Sequence, residues 1–262
     1  MDDILDLESF PLHDLESRAG RVLVARCQRE LADSGLFNLD GLVRSEALAR
    51  CVDEVVPELE RNAYTHTQLH NIYFQKHVEG IDSDHPALRQ SRTSNRQICG
   101  DQMDGFVLTQ IYEWPPLAVF LAKVMSKPVL YSMDDPLARV NVMTYTQGEA
   151  LNWHFDRSEF TTTLLIQAAG AGGEFQYRSD LRSDDDPNYE GVARLLDDED
   201  EEVRNNPLTA GTLNVFRGKN TAHRVTAIEG GSERIIAVFS YYEQPGVNFS
   251  EVDRIKFYGR GA

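Results

Sequence analysis

His154 and Asp156 stand two residues apart in Asn152-Trp153-His154-Phe155-Asp156. In an extended strand, residues two apart project to one face, so the pair aims an imidazole and a carboxylate at a common point. A third ligand must come from elsewhere, and His223 in Asn220-Thr221-Ala222-His223-Arg224-Val225 is the candidate. Two histidines and one carboxylate bind a mononuclear metal on one side and leave positions open for reactants. The spacing alone is weak, because seven histidines in an acid-rich chain produce such pairs by chance. His77-Val78-Glu79 has the same spacing, but it lies in a polar, helical-looking stretch and reads as a surface histidine. His154 differs because strand-like runs follow it at short intervals and one of them carries His223.

The elements that must position these residues lie mostly after Pro128. Strand-like runs fall at Val129-Tyr131, Ala138-Thr146, Leu151-Asp156, Phe160-Gln167, Glu174-Tyr177, Thr212-Phe216, Ala222-Ile228 and Arg234-Tyr242, with glycine-rich turns between them. Many short strands with such turns imply an antiparallel sandwich or barrel. Eight of them in two sheets make a cupin-like jelly roll, or double-stranded β-helix. The fold class expected is therefore mainly β with flanking helices. An acidic insertion over 183–206 interrupts the series, with a short helix at Tyr189-Leu196.

Residues 1–127 read as mostly helical. Leu15-Leu31 is loosely periodic, and Glu46-Tyr64 places Leu48, Cys51, Val52, Val55, Val56 and Leu59 at helical spacing. Pro57 is expected to bend or divide that helix. Pro115-Met125 forms another, with proline in its first turn. Tyr64-His85 is a polar stretch holding His66, His70, His77 and His85, at spacings that match no recognised ligand set. Ser91-Gln97 reads as a polar loop with Arg92 and Arg96. No linker or repeat divides the 262 residues, so the chain reads as one domain.

Composition narrows the function. Forty-two acidic residues against 26 Lys and Arg leave a net charge of -16, which excludes non-specific binding to phosphate backbones. No apolar run approaches membrane-spanning length, and the acidic start Met1-Asp2-Asp3 is the reverse of a secretory signal. Three cysteines without CxxC spacing signal neither a disulfide framework nor a zinc site. A cytoplasmic location is the expectation.

Arg234 is the candidate anion clamp. If the chain from His223 to Tyr242 is a hairpin turning near Glu229-Gly230-Gly231-Ser232, Arg234 lies opposite residue 227. At about 3.4 Å per residue it then stands roughly 13 Å from the His223 ligand. A five-carbon dicarboxylate chelating the metal at one end and paired with the guanidinium fork at the other fills that gap, as 2-oxoglutarate would. Alternation places Ile236, Val238 and Ser240 on the face of Arg234, and Asn152 on that of His154 and Asp156, with Trp153 and Phe155 behind.

The set His154-x-Asp156, His223 and Arg234 resembles the Fe(II)/2-oxoglutarate-dependent oxygenases. Trp153-His154-Phe155-Asp156-Arg157-Ser158-Glu159-Phe160, Gly172-Gly173-Glu174-Phe175, Phe216-Arg217-Gly218-Lys219-Asn220 and His223-Arg224-Val225-Thr226 are more narrowly similar to one bacterial family. That family comprises the free-amino-acid (lysine-type) radical halogenases and their hydroxylase relatives. The resemblance spans about residues 90–260 and implies a double-stranded β-helix, Fe(II), 2-oxoglutarate and O2. It implies oxidation of an unactivated C–H bond by hydrogen abstraction and hydroxyl rebound. Where the superfamily commonly has Ser two residues after the arginine, this chain has Ile236. Halogenases of this kind carry a small residue at the position of Asp156, which frees a site for chloride; Asp156 implies hydroxylation.

The substrate expected is a free amino acid or similar small polar metabolite. Arg96 is the candidate clamp for its carboxylate, and Arg157, Tyr241, Phe257 and Tyr258 are candidate pocket residues. Arg157, directly after the metal carboxylate, disfavours a second cation there, so lysine is only one option. The alternatives are an oxygenase acting on a peptidyl or carrier-bound residue, and a cupin-like metal-binding or sensing domain without turnover.

Overall fold

The computed structural model describes residues 1–75, 78 and 80–261, so the His77 and Glu79 pair lies outside the described residues. The chain opens with α1 (Arg18–Ser34), β1 (Leu36–Leu39), α2 (Ser45–Asn62), β2 (Tyr64–His70) and β3 (Ser91–Cys99). Next come α3 (Val107–Glu113), α4 (Pro115–Val124), β4 (Tyr131–Ser132), β5 (Val140–Tyr145), β6 (Leu151–His154) and β7 (Thr161–Gln167). Then follow β8 (Ala171–Gly172), β9 (Phe175–Arg178), α5 (Tyr189–Leu196), β10 (Arg204–Asn206), β11 (Leu213–Phe216) and β12 (Ala222–Val225). The chain ends with β13 (Ile228–Glu229), β14 (Arg234–Phe239), β15 (Tyr241–Tyr242) and α6 (Glu251–Tyr258).

Two antiparallel sheets face each other. The larger runs β1-β11-β7-β14-β5-β3-β2 and the smaller β10-β9-β12-β6. Alternation divides each strand of the large sheet between two environments. On β5, Val140 and Val142 join the main apolar core, while Asn141, Met143 and Tyr145 line a cavity between the sheets. On β3, Ile98 faces the core and Thr93, Asn95 and Gln97 the cavity. The core side is covered by α1 to α4. Ala47, Cys51, Val55 and Leu59 form the buried stripe of α2, at a strict four-residue spacing that keeps one face inward. Ser17 caps α1 by accepting from the Gly20 N–H at 2.9 Å. Gly35 ends it with φ 80°, a conformation that glycine adopts without Cβ strain.

Three expectations need correction. Most regular structure in residues 1–127 is helical, but this part also contributes β1, β2 and β3. Ser91-Gln97 is therefore not a loop: it lies in β3, paired with β2 and β5. Its inward side chains are polar because the cavity is polar, which hides the apolar alternation that signals a strand. Second, His223 and Arg234 do not belong to one hairpin. β12 pairs with β6 and β9 in the small sheet, whereas β14 lies between β5 and β7 with Arg234 opposite Tyr145. Third, Pro57 does not divide α2, which runs from Ser45 to Asn62. The proline lacks an N–H for the Asp53 carbonyl, but Asp53 is exposed and water can serve it. The expected helix at Tyr189-Leu196 is present as α5. Among the described residues, no helix is long and apolar enough to cross a membrane.

Candidate metal centre and its cavity

His154 closes β6 and His223 lies in β12, where the two are register partners. Their ring centroids are 4.0 Å apart. The Asp156 carboxylate reaches both: Oδ1 is 3.4 Å from His154 Nε2, and Oδ2 is 3.4 Å from His223 Nε2. All three potential ligand atoms lie within 4.8 Å of one another. Each histidine also has its Nδ1 against a carbonyl, Asn152 at 2.8 Å and Thr221 at 3.0 Å. A proton held at Nδ1 by those carbonyls turns the Nε2 lone pair toward the shared point, the arrangement that metal-binding imidazoles need.

Asp156 is fixed with equal care. Its N–H donates to the Gly218 carbonyl at 2.9 Å, and Thr161 Oγ1 donates to Oδ2 at 2.5 Å. A Cβ on Gly218 would stand only 2.3 Å from Oδ2, so the glycine makes room for the carboxylate. Burial raises the Asp156 carboxyl, but His223 and His154 outweigh it and hold it well below the ordinary range. Burial and the neighbouring His223 push His154 down, toward the neutral ligand form.

The expected shared face is modified by a bulge. The β6–β12 register shifts between His223 and Val225, so that Leu151 takes the place beside Val225. Leu151 therefore lines the cavity with His154, while Asn152 turns away and its amide donates to the Arg92 carbonyl at 2.7 Å. Trp153 is buried behind, as expected, but Phe155 borders the cavity.

The cavity encloses about 340 Å³. Arg234 reaches it from the large sheet, buried to 2 % exposure, with its Nη1 lacking any hydrogen-bond partner among the described residues. Burial pushes the guanidinium down to about 10, while nearby Tyr145 favours its charge. A buried cation with a free donor needs an anion, and a carboxylate matches the guanidinium fork. Gly173 keeps that position open, since a Cβ there would stand 3.2 Å from Arg234 Cδ. Ile236, Val238 and Ser240 line the cavity alongside Arg234, as strand alternation required.

Of the candidate substrate residues, Arg157, Tyr241, Phe257 and Tyr258 border the cavity. Tyr241 offers only its ring, because its hydroxyl donates to the Tyr112 carbonyl at 2.8 Å. Arg96 does not reach the cavity: it lies on the opposite face of β3 from Asn95 and Gln97 and pairs with Glu233 at 3.0 Å. An even step along a strand keeps a face, and Arg96 stands an odd step from those residues. Apolar patterning does not mark the wall built by β2 and β3, where His70 Nε2 shares a 2.9 Å hydrogen bond with Thr93 Oγ1. Nor does it mark Thr161 and Gly218 as the residues that seat the Asp156 carboxylate. The alternating Thr93, Asn95 and Gln97 were the available signal for that wall.

Solved structures similar to this chain share its fold. AviO1 from Streptomyces viridochromogenes Tue57 is 14% identical with a TM-score of 0.57, over 85% of this chain and 96% of that one. HygX from Streptomyces hygroscopicus, solved with nickel and 2-oxoglutarate bound, is 12% identical with a TM-score of 0.56, over 82% and 85%. The epimerase SnoN, in complex with Fe3+, alpha ketoglutarate and nogalamycin RO, is 13% identical with a TM-score of 0.56, over 84% of each chain. These likenesses establish the double-stranded β-helix. No curated protein matches the chain by sequence. A family model described as HalD, Halogenase D, matches residues 21–251, and the chain belongs to that family.

Proposed function

We propose that the chain is an Fe(II)- and 2-oxoglutarate-dependent oxygenase, acting as one domain, that hydroxylates a free amino acid or similar small polar metabolite. One observation carries the reading: the Asp156 carboxylate lies 3.4 Å from both histidine Nε2 atoms, in the same cavity as the unpartnered Arg234. His154, Asp156 and His223 would hold the iron, and Arg234 would pair with the far carboxylate of 2-oxoglutarate. HygX and SnoN, with metal and keto acid in their structures, support that cofactor set. Bound together, iron, keto acid and O2 supply oxidative decarboxylation to succinate and CO2, coupled to insertion of one oxygen atom into a C–H bond.

The chain's own residues do the rest. His154 and His223 present neutral Nε2 atoms, fixed by the carbonyls behind them. Thr161 orients the carboxylate, and the aromatic walls exclude water and hold the substrate near the metal. The family description names halogenation, whereas the Asp156 carboxylate fills the position that a halide would need. That favours hydroxylation. A small substrate is supported by the cavity's size and by α6, whose Lys256, Phe257 and Tyr258 contribute to its lining.

The experiment couples O2 uptake to succinate formation across a panel of amino acids, with mass spectrometry of the products. Hydroxylated product with no chlorinated one in chloride buffer is expected. Asp156→Gly should abolish hydroxylation. Unchanged hydroxylation by that variant, or chlorination by the native protein, would refute the assignment. Iron bound without any turnover would indicate a sensing domain instead.

A further inference from the structure

The lining of the cavity carries charge of one sign apart from the metal carboxylate. Among the described residues that border it, Asp156 is the only acid, whereas Arg157, Lys256 and Arg234 are cations. Arg234 is buried beside Tyr145, but Arg157 and Lys256 are exposed and so mark where the cavity meets solvent. Both gather around Phe257. The Arg157 guanidinium lies 5.1 Å from its ring centroid and the Lys256 ammonium 5.3 Å. His66 stacks on the same ring at 6.4 Å, with 19° between the planes. Asp253 accepts from Arg157 at 3.2 Å but does not line the cavity.

This basic and aromatic mouth stands in a chain of net charge -16. A local reversal of sign over a low-dielectric opening attracts the opposite ion and repels a like one. The cavity wall is apolar, with Phe155, Phe160 and Phe249 in its lining, and the Phe249 ring lies 6.0 Å from the Phe257 ring at the mouth. Among the described residues that line the cavity, an ammonium finds no acid except the metal's own, while an anionic head finds Lys256 and Arg157, the latter shared with Asp253 just outside the lining, and its apolar body finds aromatic rings.

We propose that the cavity takes a small amphipathic anion, a carboxylate or phosphate monoester with an apolar body, whose charged group rests at the mouth between Arg157 and Lys256. This deepens the oxygenase reading and rests on it for the fate of the bound molecule. A free amino acid satisfies it through its carboxylate, and a basic side chain gains nothing from it.

Four six-carbon probes test the proposal: hexanoate, hexyl phosphate, hexan-1-ol and hexylammonium. Each is titrated by calorimetry into the full-length protein loaded with Fe(II) and saturating 2-oxoglutarate, without O2. At least one anion should bind about fivefold or more tighter than the alcohol, in line with the worth of a partly exposed charge pair. Hexylammonium should bind weakest, and the preference should shrink as salt rises. The tighter of the two anions identifies the head group. Arg157→Glu with Lys256→Glu should reverse the order of anion and ammonium, with the melting temperature as the check on folding. The proposal is overturned if the anions bind no tighter than the alcohol, if hexylammonium binds best, if no probe binds, or if the double variant keeps the native order. The visible charge-transfer absorption of Fe(II) chelated by 2-oxoglutarate, read in the same samples, reports separately on the oxygenase reading. Its absence refutes that reading and leaves the order of the probes to judge the mouth.

Discussion

Replacing Gly218 by alanine should cripple the metal centre without altering any ligand. A Cβ there would stand 2.3 Å from Asp156 Oδ2 and 2.7 Å from Thr161 Oγ1, where ordinary contact begins at 3.4 Å. Gly218 does not occupy the left-handed region, so alanine adds no backbone strain and the effect is purely steric. Relief requires the carboxylate to move by about 1 Å, a displacement that costs on the order of 100-fold at a reacting centre. The same movement stretches the 2.5 Å hydrogen bond from Thr161. We expect the Fe(II) dissociation constant to rise about 100-fold, or about 2.8 kcal/mol. Thr161→Val removes the hydrogen bond without the clash and should weaken binding about tenfold. Anaerobic competition against a chelating dye measures both, and calorimetric melting of the metal-free proteins checks that they fold. Native iron affinity in Gly218→Ala would show that Asp156 does not hold the metal in the observed position.

Arg234→Lys keeps the charge but loses the planar fork, so half-saturation by 2-oxoglutarate should rise roughly 10- to 100-fold; an unchanged value in steady-state succinate assays would sink the clamp. Asp135 is fully buried and accepts from Arg254 at 2.8 Å and from the Phe249 N–H at 2.9 Å, tying α6 to the body. Asp135→Asn should cost about 3–5 kcal/mol by urea denaturation, because Arg254 loses its buried partner; a loss under 1 kcal/mol would contradict this. Burial raises the Asp135 carboxyl, but Arg254 and three backbone N–H groups outweigh it and leave it below 3.8. Its contribution is therefore complete above about pH 4 and fades as pH falls through the lowered value, so the gap between native and Asp135→Asn stability should close in acid. Gly172→Ala forces a Cβ to 2.1 Å from the Ala227 carbonyl at φ 64° and should cost about 2–4 kcal/mol, read from the urea midpoint.

The residues most legible in the sequence were those whose chemistry needs particular atoms. His154, Asp156, His223 and Arg234 were identified and all reach one cavity. The route to Arg234 is not legible: the spacing suggests a hairpin, yet the chain crosses from the small sheet to the large one through β13. Nothing local encodes that crossing, because register with β5 and β7 is settled by partners far away in sequence. β2 and β3 are hidden in the sequence for a related reason. Their cavity faces carry His66, Gln68, Thr93 and Asn95, so apolar alternation is absent where the site is polar. Arg96, the candidate clamp when Ser91-Gln97 reads as a loop, lies one odd step along β3 from the cavity face and pairs with Glu233 instead. The acidic insertion was legible in its α5, whose four-residue apolar spacing, as in Val192 and Leu196, is local.

The large sheet has a consequence for dissection of the molecule. A fragment starting at Pro128 would retain both imidazoles, the carboxylate and the guanidinium, yet it would lack β1, β2 and β3, three of the seven strands, two of them at the borders. One flank of the catalytic chamber would then be open to water and β5 would be left as a raw margin ready to aggregate. The ligand-bearing half is thus not a portable module: grafting or truncation must carry the early strands along with it.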